Sequence, residues 1–151
     1  MRYIMLTLKQ NLPITVPNEL IEFISEHVQR DGISIISFND TKYHPSTGGF
    51  RPVEIMVEKL GNYVALHYYT EFAYEGQGSY AQLCKSNDFD LSLNTYYSEF
   101  MGLIPLNDEV GETFEMFVKN TLSYASLGMY DELKVSFIGG HLLLHKDMVE
   151  A

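Results

Sequence analysis

Two alternating segments on either side of a tight turn constrain the fold of this chain more than any other feature. Apolar and polar residues alternate over residues 53–58 and again over residues 63–72, and Gly61-Asn62 lies between the two segments. A period of two is typical of β-strands, and a two-residue turn of glycine and asparagine favours a β-hairpin. The sequence therefore predicts an antiparallel hairpin near the middle of the chain.

The turn also predicts which residues face one another across the hairpin. One face is apolar, and we expect it to pack in the core. Its pairs are Val57 with Leu66, Ile55 with Tyr68, and Val53 with Thr70. The second face mixes polar and aromatic residues, so we expect it to be exposed to solvent or to line a groove. Its pairs are Met56 with His67, Glu54 with Tyr69, and Glu58 with Ala65.

This second face carries the candidate binding residues. Alternation and pairing place Glu54, His67, Tyr69 and Glu71 in one patch. A carboxylate beside an imidazole can act as an acid–base pair, and tyrosines supply hydrogen bonds and stacking surfaces. The alternative interpretation is an ordinary exposed sheet face, or a face that the aromatic segment 96–101 covers.

Helices and further strands flank the hairpin. A helix that begins at Asn18 places aliphatic residues on one side and glutamates on the other, and a longer amphipathic helix begins after the capping residue Asn107. Aliphatic and β-branched residues over residues 4–8, 33–38 and 133–137 predict strands. The order of the elements is that of an α+β protein.

We therefore expect a single globular domain over residues 1–151, a length that fits one domain. Its architecture is predicted to be a two-layer α+β fold in which two main helices pack on a mainly antiparallel sheet of about five strands. The tail, residues 141–151, is expected to fold back as a short helix or a strand.

Three internal segments give weaker signals. Ser79 and Gln82 have the spacing of a capping box, which predicts a short helix. Residues 96–101 are rich in aromatic side chains and are expected to form a helical turn or an irregular lid. Residues 39–49 are rich in polar residues and glycine, which predicts a long loop. Such a loop either contributes to function or only connects two strands at the surface.

The charge balance excludes some classes of partner. The chain has 20 acidic and 10 basic residues, a formal net charge of -10. Nucleic acids and anionic membranes bind through cationic contacts, so we expect neither as a direct partner.

The apolar segments are shorter than the roughly 18 residues of a membrane span. The residues before Pro13 lack the pattern of a signal peptide, and the one cysteine, Cys84, fits a reducing compartment. We expect a cytoplasmic protein.

Three segments resemble a known family. Residues 48–55 read GGFRPVEI, residues 69–74 read YTEFAY, and residues 123–132 begin with Ser-Tyr and end with Tyr-Asp-Glu. They are similar to domain-of-unknown-function family 2787, a group of uncharacterised bacterial proteins. The resemblance covers most of the chain, from about the first helix to about Phe137. It implies a compact bacterial domain in the cytoplasm, and it implies no catalytic residue.

Patterns that would indicate a metal site or catalysis are weak. His141 and His145 have the spacing of two ligands on a helix, but two histidines are half of a zinc ligand set. Asp88 and Asp90 are better explained by turn chemistry, and Cys84 by an inert buried thiol. The chain contains no nucleophile elbow, zinc-protease motif, Walker loop or dinucleotide fingerprint. We expect no metal and no cofactor. If the chain is an enzyme, its sequence does not identify the catalytic residues.

The leading hypothesis is therefore a non-enzymatic binding or interaction domain, either a homo-oligomer or a binder of a protein partner. It rests on 11 tyrosines and 9 phenylalanines without tryptophan, because tyrosine joins an apolar ring to a polar group and is favoured at interfaces. An alternative is a small-molecule-binding protein or enzyme with an aromatic and acidic pocket on the hairpin of residues 52–72. A second alternative is an acidic decoy for a basic protein.

Overall fold

The computed structural model describes residues 3–150 and shows eight strands and three α-helices in that part of the chain. In chain order these elements are β1 (Thr7–Leu8), α1 (Asn18–His27), β2 (Gly32–Asn39), β3 (Val53–Leu60), β4 (Tyr63–Glu75), β5 (Gln82–Asp90), β6 (Thr95–Ser98), β7 (Gly102–Pro105), α2 (Asp108–Ser126), β8 (Glu132–Phe137) and α3 (Lys146–Glu150).

The strands form one sheet, and α1 and α2 pack on one of its faces. The strand order is β7-β6-β5-β4-β3-β2-β8, with antiparallel neighbours throughout, and the short β1 pairs in parallel with β4. We call the side that carries α1 and α2 the helix face and the other side the open face. The α+β class predicted from the sequence is confirmed, with eight strands instead of about five.

The two helices follow their amphipathic patterns. α1 buries Leu20, Ile21 and Ile24 against the sheet, as its aliphatic side predicts. α2 begins where Asn107 Oδ1 accepts a hydrogen bond from the Val110 amide at 2.9 Å, so the predicted cap is confirmed. These helices and the helix face of the central strands enclose one hydrophobic core.

The hairpin forms, but a β-bulge changes its register. Val57 pairs with Leu66 as predicted, whereas Met56 pairs with Tyr68, so His67 is an extra residue in β4. Beyond the bulge every β4 residue lies on the face opposite to the predicted one, because side chains alternate with a period of two. Ile55 consequently pairs with Tyr69 instead of Tyr68.

The segment after the hairpin also differs from the prediction. The helix predicted from Ser79 is a single 3₁₀ turn, Gly78–Tyr80, and the chain continues as strand β5. The aromatic segment 96–101 contributes strand β6 and a turn, so it extends the sheet rather than covering it. β5, β6 and the following β7 account for the difference between the predicted and observed strand numbers.

The end of the described chain crosses the open face. Leu144 is completely buried there, and α3 follows directly, which agrees with the predicted short helix in the tail. Within residues 3–150, none of the helices combines the length and the apolar character that crossing a membrane requires.

Candidate binding cleft

The four residues predicted to share one patch lie in three places. Glu54 lies on the open face, where its Oε2 accepts a hydrogen bond from Tyr68 Oη at 2.6 Å. His67 is buried at the bulge with Nε2 2.8 Å from Glu58 Oε1. Tyr69 and Glu71 lie on the helix face. The expected common patch is therefore wrong, because the bulge turns Tyr69 and Glu71 to the other side of the sheet.

Tyr69 has a structural position under α2. Its ring is 1% exposed, and its hydroxyl donates to the Phe117 carbonyl at 3.1 Å and bonds to Thr121 Oγ1. Burial raises the pKa of Tyr69 far above its usual value, so the phenol stays neutral. Tyr69 thus fixes α2 over β4, two residues before Glu71 along the same face.

Glu71 lies at one wall of a cleft of about 320 Å³ between β4, α2 and two loops. The residues that line this cleft come from four separate parts of the chain. They are Gly49, Phe50, Arg51, Glu71, Phe117, Asn120, Thr121, Tyr124 and Tyr130. We call this space the Glu71 cleft, and its volume is at the lower end of the range typical of ligand sites.

The loop over residues 39–49 positions one wall of the Glu71 cleft. Asp40 Oδ2 accepts a hydrogen bond from the Phe50 amide at 3.0 Å, and the Tyr43 amide donates to the Asp40 carbonyl at 2.9 Å. Gly49 has a φ of 127°, and a Cβ there would lie 2.7 Å from Asp40 Oδ2. Glycine is therefore required at position 49 for the loop to close on Asp40 and present Phe50.

Four aromatic residues line the cleft, and three of them, Phe50, Tyr124 and Tyr130, form one cluster. The ring centroid of Phe50 lies 4.9 Å from that of Tyr124 and 6.2 Å from that of Tyr130, both in edge-to-face orientation. Burial raises the pKa of Tyr130 to about 12, so its phenol is neutral at physiological pH. Edge-to-face packing gives the three rings a defined arrangement instead of a loose apolar patch.

The carboxylate of Glu71 is oriented but incompletely bonded. Arg51 Nη1 and Asn87 Nδ2 lie 3.3 and 3.0 Å away, and both reach the same oxygen, Oε1. Tyr96 Oη holds the Asn87 amide in turn, at 2.5 Å from Oδ1. The Glu71 side chain is 14% exposed and that of Arg51 is 45% exposed. Oε2 accepts no hydrogen bond from the described residues and therefore keeps hydrogen-bonding capacity.

Most of the residues in the Glu71 cleft were missed from the sequence. Phe50, Arg51, Tyr124 and Tyr130 were not among the predicted site residues, and Glu71 was placed on the wrong face. One signal could have found them, because the segments 48–55, 69–74 and 123–132 that carry the family resemblance all supply lining residues.

A second carboxylate, Glu58, is buried on the open face and bonded on every side. The backbone amides of Leu142, Leu143 and Leu144 donate to it, the shortest at 2.7 Å from Leu144. His67 Nε2 and His141 Nδ1 lie 2.8 and 3.3 Å from its oxygens. Burial raises the pKa of Glu58, but the backbone and His67 hydrogen bonds outweigh burial, and the pKa is lowered overall.

The metal interpretation of the tail histidines gains no support. His141 lies against Glu58, while His145 lines a separate pocket at the start of α3. Among the residues that the structure describes, no group of three or more histidines, cysteines or carboxylates has the arrangement of a metal site.

Fold and cleft together define a class of protein: an α+β domain with helices on one sheet face and an aromatic cleft beside its long helix. The chain belongs to the family described as protein of unknown function (DUF2787), which matches residues 11–136. The resemblance seen in the sequence is thereby confirmed.

Solved structures from Vibrio cholerae share the fold. The hypothetical protein VC0508 of the VSP-II pathogenicity island superposes with a TM-score of 0.77 at 22% identity, covering 89% of this chain and 99% of its own. The conserved hypothetical protein VC1805 of pathogenicity island VPI-2 gives a TM-score of 0.69 at 26% identity, with 86% and 100% covered. The latter is described as sharing structural homology with the human P32 protein. No curated protein matches this sequence.

Proposed function

We propose that this chain is a non-enzymatic cytoplasmic binding domain whose Glu71 cleft accepts a lysine or arginine side chain from a basic partner protein. The observation that supports the proposal is a cluster of three aromatic side chains, Phe50, Tyr124 and Tyr130. The cluster lies beside the Glu71 carboxylate, which retains hydrogen-bonding capacity. This proposal joins the predicted interaction domain to the predicted affinity for a basic protein.

The chemistry of the lining favours a cation. Aromatic faces attract ammonium and guanidinium groups through the ring quadrupole, with a contribution of about 0.5–2 kcal/mol that increases as water is excluded. The Glu71 carboxylate lies next to those rings and is shared with Arg51, so an incoming cation competes with Arg51 for it. A cation that enters the cleft would meet both kinds of contact at once.

The charge of the whole domain acts in the same direction. A net charge of -10 attracts basic proteins over a distance and accelerates their encounter, whereas it repels acidic ones. Such long-range attraction gives rate and general affinity, while a shaped cleft gives the choice of side chain. The proposed domain therefore differs from a simple acidic decoy, because its cleft selects a side chain in addition to attracting basic proteins by charge.

The lining of the cleft is suited to recognition rather than catalysis. Of its hydroxyl groups, that of Thr121 bonds to Tyr69, and its one carboxylate, Glu71, already accepts two hydrogen bonds. A catalytic nucleophile requires an adjacent base that can take its proton, and the lining residues do not form such a pair. Binding is the function that this geometry supports best.

The test measures binding of a fluorescein-labelled oligolysine peptide by fluorescence anisotropy. We expect Glu71→Gln and Tyr124→Ala each to weaken binding by about five- to tenfold, because each removes one of the two contacts to the cation. Glu54→Gln is the matched control, since it removes the same charge from the open face.

The control decides between the cleft and general electrostatics. Equal weakening by Glu71→Gln and Glu54→Gln would mean that only the net charge matters, which contradicts a cation site in the cleft. Absence of binding by the unchanged protein at low ionic strength would contradict the proposal as a whole.

A further inference from the structure

Strand β8 is one edge of the sheet, and among the described strands it pairs with β2 alone. Just past its end, the Ile138 amide donates to the Ile33 carbonyl at 2.8 Å. Because the backbone groups of successive residues in a strand point to alternate sides, the amides and carbonyls of Leu133, Val135 and Phe137 point away from β2. The outer edge of β8 therefore carries a row of donors and acceptors that no strand of the described chain pairs.

The side chains of the same three residues form an apolar row on the helix face. Leu133 and Val135 lie opposite the buried Phe38 and Ile36 of β2, so the row continues the hydrophobic core outward. Leu133 is 42% exposed, and Val135 and Phe137 are each 40% exposed. The core thus ends along β8 in an apolar margin that is half uncovered.

The two edges of the sheet differ in their protection against pairing. Edge strands of monomeric proteins are commonly short, or carry proline, bulges or charged residues that discourage another strand. β7 has four residues and ends in Pro105. β8 has six residues, no proline and an unbroken register with β2, and its charged residues, Glu132 and Lys134, lie in the row on the open face. β8 is therefore the edge suited to a further strand.

The sequence of β8 is complementary to itself. In an antiparallel pair whose two-fold axis passes through Val135, Leu133 of one copy faces Phe137 of the other, and Val135 faces its own equivalent. On the open face, Lys134 of one copy faces the uncharged Ser136 of the other. The strand carries one acidic and one basic residue, so its local charge is balanced in a chain of net charge -10. These features match the edge of an identical copy.

We propose that a second copy of this chain pairs with β8 and forms a two-fold dimer with one continuous sheet. The outward backbone groups of both copies then bond to one another, and the two apolar rows meet on the helix face. β8 contributes no residue to the lining of the Glu71 cleft. The dimer is thus independent of the function proposed for that cleft.

The first test measures the molar mass of the full chain by sedimentation equilibrium from about 10 µM to about 1 mM. A reductant prevents disulfides through Cys84. We expect the mass to rise from that of one copy to that of two. Val135→Lys places two like charges at the axis and should weaken dimerisation at least about tenfold. Leu103→Lys is the matched control, because it makes a similar change on the other edge strand, and it should weaken dimerisation less than about twofold.

Hydrogen exchange of the unchanged protein tests the pairing without any substitution. The amides of Leu133, Val135 and Phe137 point away from β2, so we expect their exchange to slow by about tenfold or more between the lowest and the highest concentration. Lys134 and Ser136 are the internal reference, because their amides point towards β2 and should be protected at both concentrations.

Three results would overturn the proposal. The first is the mass of one copy at the highest concentration, which would leave a strand of another protein as the occupant of this edge. The second is a dimer in which the three outward amides exchange as fast as in the single copy. The third is equal weakening by Val135→Lys and Leu103→Lys, with thermal unfolding showing that both variants are folded. Glu71→Gln should dimerise as the unchanged protein does, which separates this result from the test of the cleft.

Discussion

Glu58 and Glu71 lie on neighbouring strands, both largely withdrawn from solvent, yet they are bonded very differently. Glu58 receives three backbone amides and two histidine rings spread over both of its oxygens. Glu71 receives two donors, Arg51 and Asn87, at one oxygen. A carboxylate with every acceptor position occupied holds the fold together, whereas one with capacity to spare can bind something else.

The environment of each residue explains the difference. Glu58 lies on the open face under the tail, where the fully buried charge is stable because the tail brings its consecutive amides to it. Glu71 lies at the mouth of a cleft, where water can complete its hydrogen bonds until a ligand arrives. We therefore assign a structural role to Glu58, and the binding role proposed above falls to Glu71.

The largest expected effect is the loss of stability in Glu58→Gln. Glutamine keeps the shape but places an NH₂ group against backbone N–H donors, so at least one donor stays unsatisfied and the charge is lost. We expect the free energy of unfolding to fall by roughly 3 kcal/mol, measured by urea denaturation. Glu71→Gln should lower it by less than about 1 kcal/mol, because its ion pair with Arg51 is partly exposed.

Hydrogen exchange adds a local readout to this first prediction. In Glu58→Gln the amides of Leu142 and Leu144 should exchange faster than in the unchanged protein, since their acceptor is weakened. Similar losses of stability in the two variants, with unaltered exchange in the tail, would contradict the structural role of Glu58.

The next effect is the dependence of stability on pH. The folded-state pKa of Glu58 is lowered from 4.5, so the unfolded chain takes up a proton at a higher pH than the folded protein does. The stabilisation from Glu58 is therefore complete above about 4.5 and is lost as the pH falls through the folded-state pKa. We expect the stability difference between the unchanged protein and Glu58→Gln to shrink as the pH falls from about 7 to about 3.

Urea denaturation at a series of pH values measures this difference directly. Both proteins lose stability in acid through their other carboxylates, and the subtraction removes that common part. A difference that stays constant down to the lowest pH would show that Glu58 has the same pKa in the folded and unfolded states, which would contradict the lowered pKa.

Much of the fold could be predicted from the sequence because its signals are local. The aliphatic side of α1, the Asn107 cap of α2 and the Gly61-Asn62 turn each lie within a few residues and each predicted the element that forms. The strands β5 to β7 were missed because they lack a clear alternating pattern, so their pairing partners rather than local pattern determine their structure.

The site could not be predicted for a different physical reason. One extra residue, His67, reverses the facing of Tyr69 and Glu71, and an alternating pattern carries no mark of a bulge in a segment where both faces hold aromatic residues. At the bulge the His67 carbonyl accepts hydrogen bonds from the Leu91 and Ser92 amides, and the Leu66 amide donates to Gln10 Oε1. These partners lie far from the bulge in sequence, so no local pattern reveals them.

The smallest expected effect on stability is that of Arg51→Ala, and it tests the assignment of Glu71 most directly. The Arg51 side chain is 45% exposed and lies 3.3 Å from both Glu71 Oε1 and Ser86 Oγ, so we expect its loss to change the free energy of unfolding by less than about 1 kcal/mol. Arg51 competes with an incoming cation for the carboxylate, so its removal should tighten oligolysine binding by about two- to fivefold in fluorescence anisotropy.

Lys85→Ala is the matched control, because it removes the same charge from an exposed position beside Asp88. If Arg51→Ala tightens binding no more than Lys85→Ala does, Arg51 does not compete at Glu71, and the cation must bind elsewhere. If Arg51→Ala tightens oligolysine binding more than Lys85→Ala does, the Glu71 carboxylate can bind an added cation, and in this it differs from Glu58.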